Sequence, residues 1–112
     1  MSPDDTTRLL HMIEAGESIA RFLVGRDRGA LDSDEMLLLA VVRALQIFGE
    51  AASQLSEQAR TAAPNVPWKA IIGMRHKVVH DYFGVDDDVV WDTVINELPP
   101  LIEKIRSLDT SL

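Results

Sequence analysis

The chain has 112 residues, of which 46% are hydrophobic and 26% charged, and these values are ordinary for one soluble globular domain. It contains no cysteine, which excludes disulfides, thiolate nucleophiles and cysteine-based zinc sites. The net charge of −7 argues against non-specific binding to nucleic acid, DNA included, because the neutralisation of phosphates supplies most of that affinity.

We expect a single domain spanning residues 1–112. The N-terminal stretch MSPDDTTRLL lacks the apolar core of a signal peptide. No apolar run approaches the ~20 residues that span a bilayer. These features predict a cytoplasmic protein without a membrane segment.

The N-terminal part of the chain predicts one helix followed by a loop. Ser2 is placed to cap the helix, with Pro3 in its first turn. Apolar residues then recur at helical spacing from Leu9 to Leu23. Two glycines in the stretch GRDRGAL, residues 25–31, predict the loop.

A second helix is predicted to start at Asp32–Glu35 and to run to about Arg60 or Ala62. Its residues Met36 to Leu45 are apolar nearly all round. A helix that is apolar on every side is buried on every side. In so short a chain this pattern favours a subunit interface as well as a core.

Two prolines, Pro64 and Pro67, divide this helix from the next. The helical pattern then continues from Trp68 towards Phe83, and Gly84 is placed just beyond its end.

Three acids, Asp86 to Asp88, predict the cap of a last helix, which Pro99 and Pro100 should bend or interrupt. The pattern contains no strand signal. The predicted fold is therefore all-α, an antiparallel bundle of four to five helices.

One segment of the chain carries a net positive charge. Residues Gln58 to His80 carry four lysines and arginines and no acid, so this segment is +4 and the rest of the chain is −11. At its end lies the stretch GMRHKVVHDYFG, residues 73–84.

Three residues of this stretch, Arg75, His80 and Tyr82, point to chemistry on RNA. Arginine binds phosphate through two parallel hydrogen bonds, and histidine exchanges protons near neutral pH. A base that deprotonates a 2′-OH and a cation that stabilises the phosphorane suffice for RNA cleavage without a metal.

On a continuous helix these three side chains do not converge. At ~100° per residue, Arg75 and Tyr82 lie nearly on one line, whereas His80 lies ~140° round from Arg75. Spacing alone therefore favours a solvent-exposed basic helix face. A second subunit would be one way to complete a site.

Other readings of nearby residues stay open. His76 and His80 are four residues apart, a spacing that can hold a metal, but Lys77 stands where zinc proteases carry their glutamate. Glu50 lies mid-helix, where a lone glutamate is usually solvated or paired. A partner for a buried arginine or histidine is the sharper alternative.

The stretch RHKVVHDY, Arg75 to Tyr82, resembles the R-x4-H-x-Y signature of HepT-like toxins in the HEPN superfamily. Neighbouring pieces resemble that family in order. They are FGEAASQLS (48–56), PNVPWKAIIGMR (64–75), YFGVDDDVVW (82–91) and ELPPL (97–101).

The resemblance implies an all-α, HEPN-like homodimer in which the motifs of two subunits face one cleft. It implies a metal-independent endoribonuclease that acts as a toxin, with Arg75 and His80 catalytic. His76 stands where the family often has asparagine. Together with Lys77 and Glu50, it is expected to support substrate binding.

The resemblance also implies a partner. A MntA-like nucleotidyltransferase antitoxin would transfer AMP from ATP onto Tyr82 and so block RNA by bulk and negative charge. The toxin itself would need no cofactor. The alternative is a non-catalytic helical module that binds RNA or nucleotide, or docks the partner, and the acidic net charge favours that alternative.

Overall fold

The structure is a computed structural model, and it describes residues 2–77, 79–80 and 84–109. The predicted all-α class is confirmed, apart from one small hairpin that no strand pattern predicted. The packing into a bundle of four to five helices stays a prediction. In chain order the elements are α1 (Pro3–Phe22), α2 (Arg28–Ser33), α3 (Glu35–Ser53), α4 (Glu57–Thr61), α5 (Trp68–Lys77), β1 (Val79–His80), β2 (Gly84–Val85), α6 (Asp87–Asp92), a π-helical segment (Thr93–Glu97) and α7 (Leu98–Asp109).

Helices begin where a side chain can accept from a free backbone N–H of the first turn. The Ser2 hydroxyl accepts from the N–H of Asp5 at 3.1 Å, which confirms the predicted start of α1. Asp34, within the predicted second start, accepts a hydrogen bond from the N–H of Leu37, the third residue of α3. Asp86 caps α6 in the same way, as predicted.

In the first half of the chain two helix boundaries differ from the predicted ones, and in both places an extra cap is the reason. Residues 25–31 are not all loop, because Asp27 caps α2 by accepting from the N–H of Ala30 at 3.2 Å. The second long helix ends at Ser53 rather than near residue 60, because Ser56 caps the separate helix α4.

The start of α4 is tied to the start of α1 by a buried carboxylate. Asp5, only 4% exposed, accepts from both the backbone N–H and the hydroxyl of Ser56, each at 2.8 Å. These hydrogen bonds compensate for the removal of the charge from water.

The centre of the fold is α3, which packs against α1 and α5, while α1 also packs against α7. Its apolar first half is only partly enclosed. Leu37, Val41 and Leu45 are buried, whereas Met36 is 83% exposed and Leu39 is 55% exposed. By length and composition α3 is apolar enough to cross a membrane, but half of that stretch is buried in the protein, and core helices of soluble proteins meet the same criterion.

The helix that carries Arg75 is shorter than predicted. It ends at Lys77, where β-branched valines follow, rather than continuing to Phe83. Val79 pairs with Val85, and His80 pairs with Gly84, in an antiparallel hairpin. Gly84 therefore lies in a strand and is not the residue that terminates a helix.

The last helical run passes through the two prolines without a break between elements. Directly before them the chain widens into the π-helical segment, in which the N–H of Leu98 donates to the carbonyl of Thr93. Pro99 and Pro100 have no N–H to donate, so the usual helical hydrogen bonds are lost there. The predicted disturbance is thus a π-turn upstream of the prolines.

Candidate functional site around Arg75

Arg75 lies near the end of α5, where that helix passes close to α3. The approach depends on Gly49, because a β-carbon there would lie 3.0 Å from both the backbone nitrogen of Arg75 and the carbonyl oxygen of Ile71. The sequence FGEAAS thus supplies a helix surface without a side chain at the crossing point. This contact fixes the backbone from which the Arg75 side chain extends.

The guanidinium of Arg75 is half-buried and only weakly held. Its Nη1 lies 3.5 Å from the Ser53 hydroxyl, at the limit of a hydrogen bond. Its Nε is buried and has no hydrogen-bond partner in the part of the chain that the structure describes. An arginine with unused donors beside a cleft is suited to an anionic ligand.

A cleft of about 440 Å³ opens beside Arg75. Its lining comes from three helices: α5 supplies Arg75, α3 supplies a row of polar and small residues, and α1 supplies a second arginine and a histidine. The lining residues are Arg8, His11, Ile47, Glu50, Ala51, Ser53, Gln54 and Arg75.

This cleft is continuous with an apolar groove of about 550 Å³ between α1 and α3, since His11 and Ile47 line both. Residues spaced alternately three and four apart fall on one helix face. Each helix presents one such row. The rows are Arg8, His11, Ala15, Ser18 and Phe22 on α1, and Ala40, Arg43, Ile47 and Glu50 on α3, followed by Gln54 directly after its end.

The predicted site residues fall in different places. Glu50 lines the Arg75 cleft, where it lies 3.8 Å from the Arg43 guanidinium in an ion pair with both side chains more than half exposed. His76 is exposed and is not among the residues that line the cleft.

The remaining motif residues lie wholly or partly outside the part of the chain that the structure describes. Lys77 ends α5 and His80 lies in β1, but their side chains are outside the described part of the chain, as is Tyr82 entirely. Because α5 stops at Lys77, the angle of ~140° calculated for His80 on a continuous helix does not describe this protein. The assignment of these residues stays a prediction.

Sequence reasoning missed the contribution of α1 to the cleft. No motif in the sequence singles out Arg8 or His11. The signal in the sequence was that Arg8 and His11 are three residues apart, on the same helix face as Ala15, Ser18 and Phe22.

The chain that follows the hairpin is anchored by an arginine of α2. Arg28 donates to the Asp88 carboxylate of α6 at 2.6 and 3.0 Å, and it lies 3.0 Å from Asp32.

The pKa of Asp32 is held below its usual value mainly by a hydrogen bond from Asp87, and secondly by the Arg28 guanidinium. Burial, then the hydrogen bond with Asp32, raise the pKa of Asp87, so Asp87 is the carboxyl that keeps its proton longer.

Within residues 2–77, 79–80 and 84–109, no group of three or more His, Cys, Asp or Glu side chains is arranged to hold a metal ion. The side chains that line the described cleft offer guanidinium, imidazole, carboxylate, hydroxyl and amide groups.

Known proteins are similar to this sequence over two thirds or more of its length. A family model described as "Ribonuclease HepT-like" matches residues 12–108. A protein of Caldanaerobacter subterraneus subsp. tengcongensis named "Putative RNase" is 35% identical over 100 residues, which cover 89% of each chain. A "Putative RNase" of Methanocaldococcus jannaschii is 32% identical over 107 residues, 95% of this chain and 98% of its own.

A "Probable ribonuclease HepT" of Thermococcus cleftensis is 40% identical over 75 residues, 67% of this chain and 68% of its own. No solved structure matches the chain significantly. The resemblance inferred from the motif is confirmed, and the chain belongs to the HepT-like ribonuclease family.

Proposed function

We propose that this protein is a ribonuclease that cleaves RNA at the cleft around Arg75. The observation that carries the proposal is the half-buried guanidinium of Arg75, whose Nε has no hydrogen-bond partner among the described residues, in a cleft that Arg8 also lines. A partly desolvated guanidinium stabilises an anion more strongly than a solvated one, and its planar donors match phosphodiester oxygens. The names of the relatives support the same class of activity.

The proposed reaction needs only groups of the protein and the RNA. His80 takes the proton of a ribose 2′-OH, and the 2′-oxygen forms a bond to the adjacent phosphorus. Arg75 stabilises the negative charge that develops on the non-bridging oxygens. The bond from phosphorus to the 5′-oxygen then breaks, a proton is returned to that oxygen, and a 2′,3′-cyclic phosphate and a 5′-hydroxyl result.

The supporting residues take substrate-binding roles in this proposal. His76, exposed on α5, and Lys77 would contact the RNA backbone outside the described cleft, and Glu50 would orient groups within it. His76 also adds a second proton carrier next to Arg75.

Incubation of the purified protein with end-labelled RNA in EDTA tests this function. We expect cleavage with 2′,3′-cyclic phosphate ends, and loss of cleavage in Arg75→Ala and in His80→Ala. Lys69→Ala is a matched control, because Lys69 is an exposed cation of α5 that lines a separate surface with Trp68. RNA bound but uncut by the wild type would support the non-catalytic module, and cleavage abolished by EDTA would support a metal hydrolase using His76 and His80.

We further propose that the protein is the cytoplasmic toxin of a toxin–antitoxin pair. A MntA-like nucleotidyltransferase partner would transfer AMP from ATP to the Tyr82 hydroxyl, with release of pyrophosphate. The bulk and negative charge so added would repel RNA phosphate from Arg75. Intact mass after co-expression with such a partner should show AMP increments that disappear in Tyr82→Phe.

A homodimer completes the proposal. The apolar side chains left exposed on α3, Met36 and Leu39 among them, lie on the helix that also lines the Arg75 cleft. Exposed apolar surface of this kind is removed from water when a second subunit covers it. A second copy on this face would bring two Arg75 clefts towards one another.

A further inference from the structure

Arg8 is a cation that the fold places at the Arg75 cleft without pairing it. Its side chain is half-buried on α1, yet it makes no ion pair in the described part of the chain. The other arginine of α1, Arg21, lines a different groove, between α1 and α7. Two arginines of one helix therefore lie in different surroundings.

The rows on α1 and α3 explain why Arg8 reaches this cleft. Arg8 and His11 are three residues apart and share the α1 face that lines the groove against α3. Arg75 lines the same cleft from α5, so arginines from two separate helices line one cleft. Neither helix alone would supply both.

The charges of the cleft favour an anion of more than one phosphate. Its lining contains two arginines and one carboxylate, that of Glu50. Arg43, in the adjoining groove, lies 3.8 Å from this carboxylate and offsets part of its charge. In a chain of net charge −7, such a local surplus of positive charge directs an anionic strand to this position.

We propose that Arg8, with His11 beside it, binds the phosphate next to the scissile one. This inference rests on the proposed ribonuclease function, in which Arg75 holds the scissile phosphate. Arg8 would then contribute equally to the binding of substrate and of transition state. His11 would donate a hydrogen bond to the same phosphate. The RNA strand would cross from α5 to α1 over the cleft.

Binding of a short 2′-O-methyl RNA tests the inference without any cleavage. We expect Arg8→Ala to weaken binding about tenfold or more, the usual loss for one charge-assisted hydrogen bond. The slope of log affinity against log salt should fall by about 0.7, the value for one phosphate contact on a single strand. Arg21→Ala, with the same change of net charge on the same helix, should bind like the wild type.

Cleavage kinetics give a second readout. Arg8→Ala should raise KM for an oligonucleotide while leaving kcat unchanged, the pattern of uniform binding. A dinucleotide substrate has no neighbouring phosphate, so Arg8→Ala should cleave it at the same rate as the wild type. Arg8→Lys should restore part of the affinity because it restores the charge.

The outcomes separate this inference from the proposed function. Arg8→Ala binding as tightly as Arg21→Ala, while the wild type cleaves RNA, would overturn the Arg8 subsite alone. Tight wild-type binding that Arg8→Ala weakens, without any cleavage, would support Arg8 as a contact to an RNA phosphate and overturn the ribonuclease function. A wild type that neither binds nor cleaves RNA would overturn both.

Discussion

At the residue scale, Asp5 shows how one side chain joins distant parts of the chain. Its carboxylate accepts two hydrogen bonds from Ser56, which in turn caps α4. In the sequence, Asp5 is only an acid close behind the predicted cap residue Ser2. Its partner is 51 residues away, so no local pattern identifies it.

Asp5→Ala should destabilise the protein by about 1–3 kcal/mol, because it removes two hydrogen bonds that Ser56 donates to a buried carboxylate. Urea unfolding measures the change. Asp4→Ala is the matched control, since Asp4 is an exposed acid of the same turn and should cost less. An equal loss in the two variants would contradict this role of Asp5.

The same contact predicts a pH dependence. The backbone hydrogen bond from Ser56 is the main cause that lowers the pKa of Asp5 below its usual value. The pKa of Asp5 in the folded protein therefore lies below its pKa in the unfolded chain, which is ~3.9. The Asp5 contribution is fully present above that value and is lost as the pH falls through the lower folded pKa. The difference in stability between wild type and Asp5→Ala should shrink on acidification below about pH 4.

The cleft, like the Asp5 contact, contains residues that the sequence alone does not identify. Arg75 was predicted because a motif and an acid-free segment single it out. Arg8 and His11 were not, because their place in the cleft depends on how α1 packs against α3, and single residues carry no sign of that contact.

At the element scale, helix starts were predicted better than helix ends. The starts of α1, α3 and α6 carry local signals in Ser2, Asp34 and Asp86. The end of α5 does not, because the apolar pattern continues through the valines into the hairpin. His80 pairs with Gly84 in the hairpin instead of continuing the helix, and the apolar pattern of the sequence does not show this pairing.

The crossing of α3 and α5 predicts the effect of two glycine substitutions. Gly49→Ala should force the helices apart, cost about 1–3 kcal/mol and lower RNA cleavage by displacing Arg75. Gly73→Ala, where an added β-carbon meets no atom within 4 Å, should be neutral or slightly stabilising. Thermal unfolding and cleavage assays check both. Retention of full activity and stability in Gly49→Ala would show that the close approach is dispensable.

At the scale of the whole molecule, the exposed apolar face of α3 is the feature that a bundle core does not explain. The sequence predicted burial all round Met36 to Leu45, and within one subunit the structure buries only part of this helix. The remaining surface is the basis of the proposed homodimer.

Leu39→Glu should convert a dimer into a monomer, because it places a charge in the proposed interface. Sedimentation velocity measures the change. Val24→Glu is the control, since Val24 is 76% exposed and lies on the groove between α1 and α7. If Leu39→Glu sediments like the wild type, α3 is not the dimer face.

The most direct test of the central claim is the single-turnover rate of RNA cleavage in EDTA for Arg75→Ala beside Lys69→Ala. Both variants remove one positive charge from α5, but only Arg75 lines the cleft. We predict that Arg75→Ala loses at least about a hundredfold in rate, the usual effect of removing a donor that stabilises the transition-state anion. Lys69→Ala should retain the wild-type rate. Equal rates in the two variants would contradict the assignment of this cleft as the site of RNA cleavage.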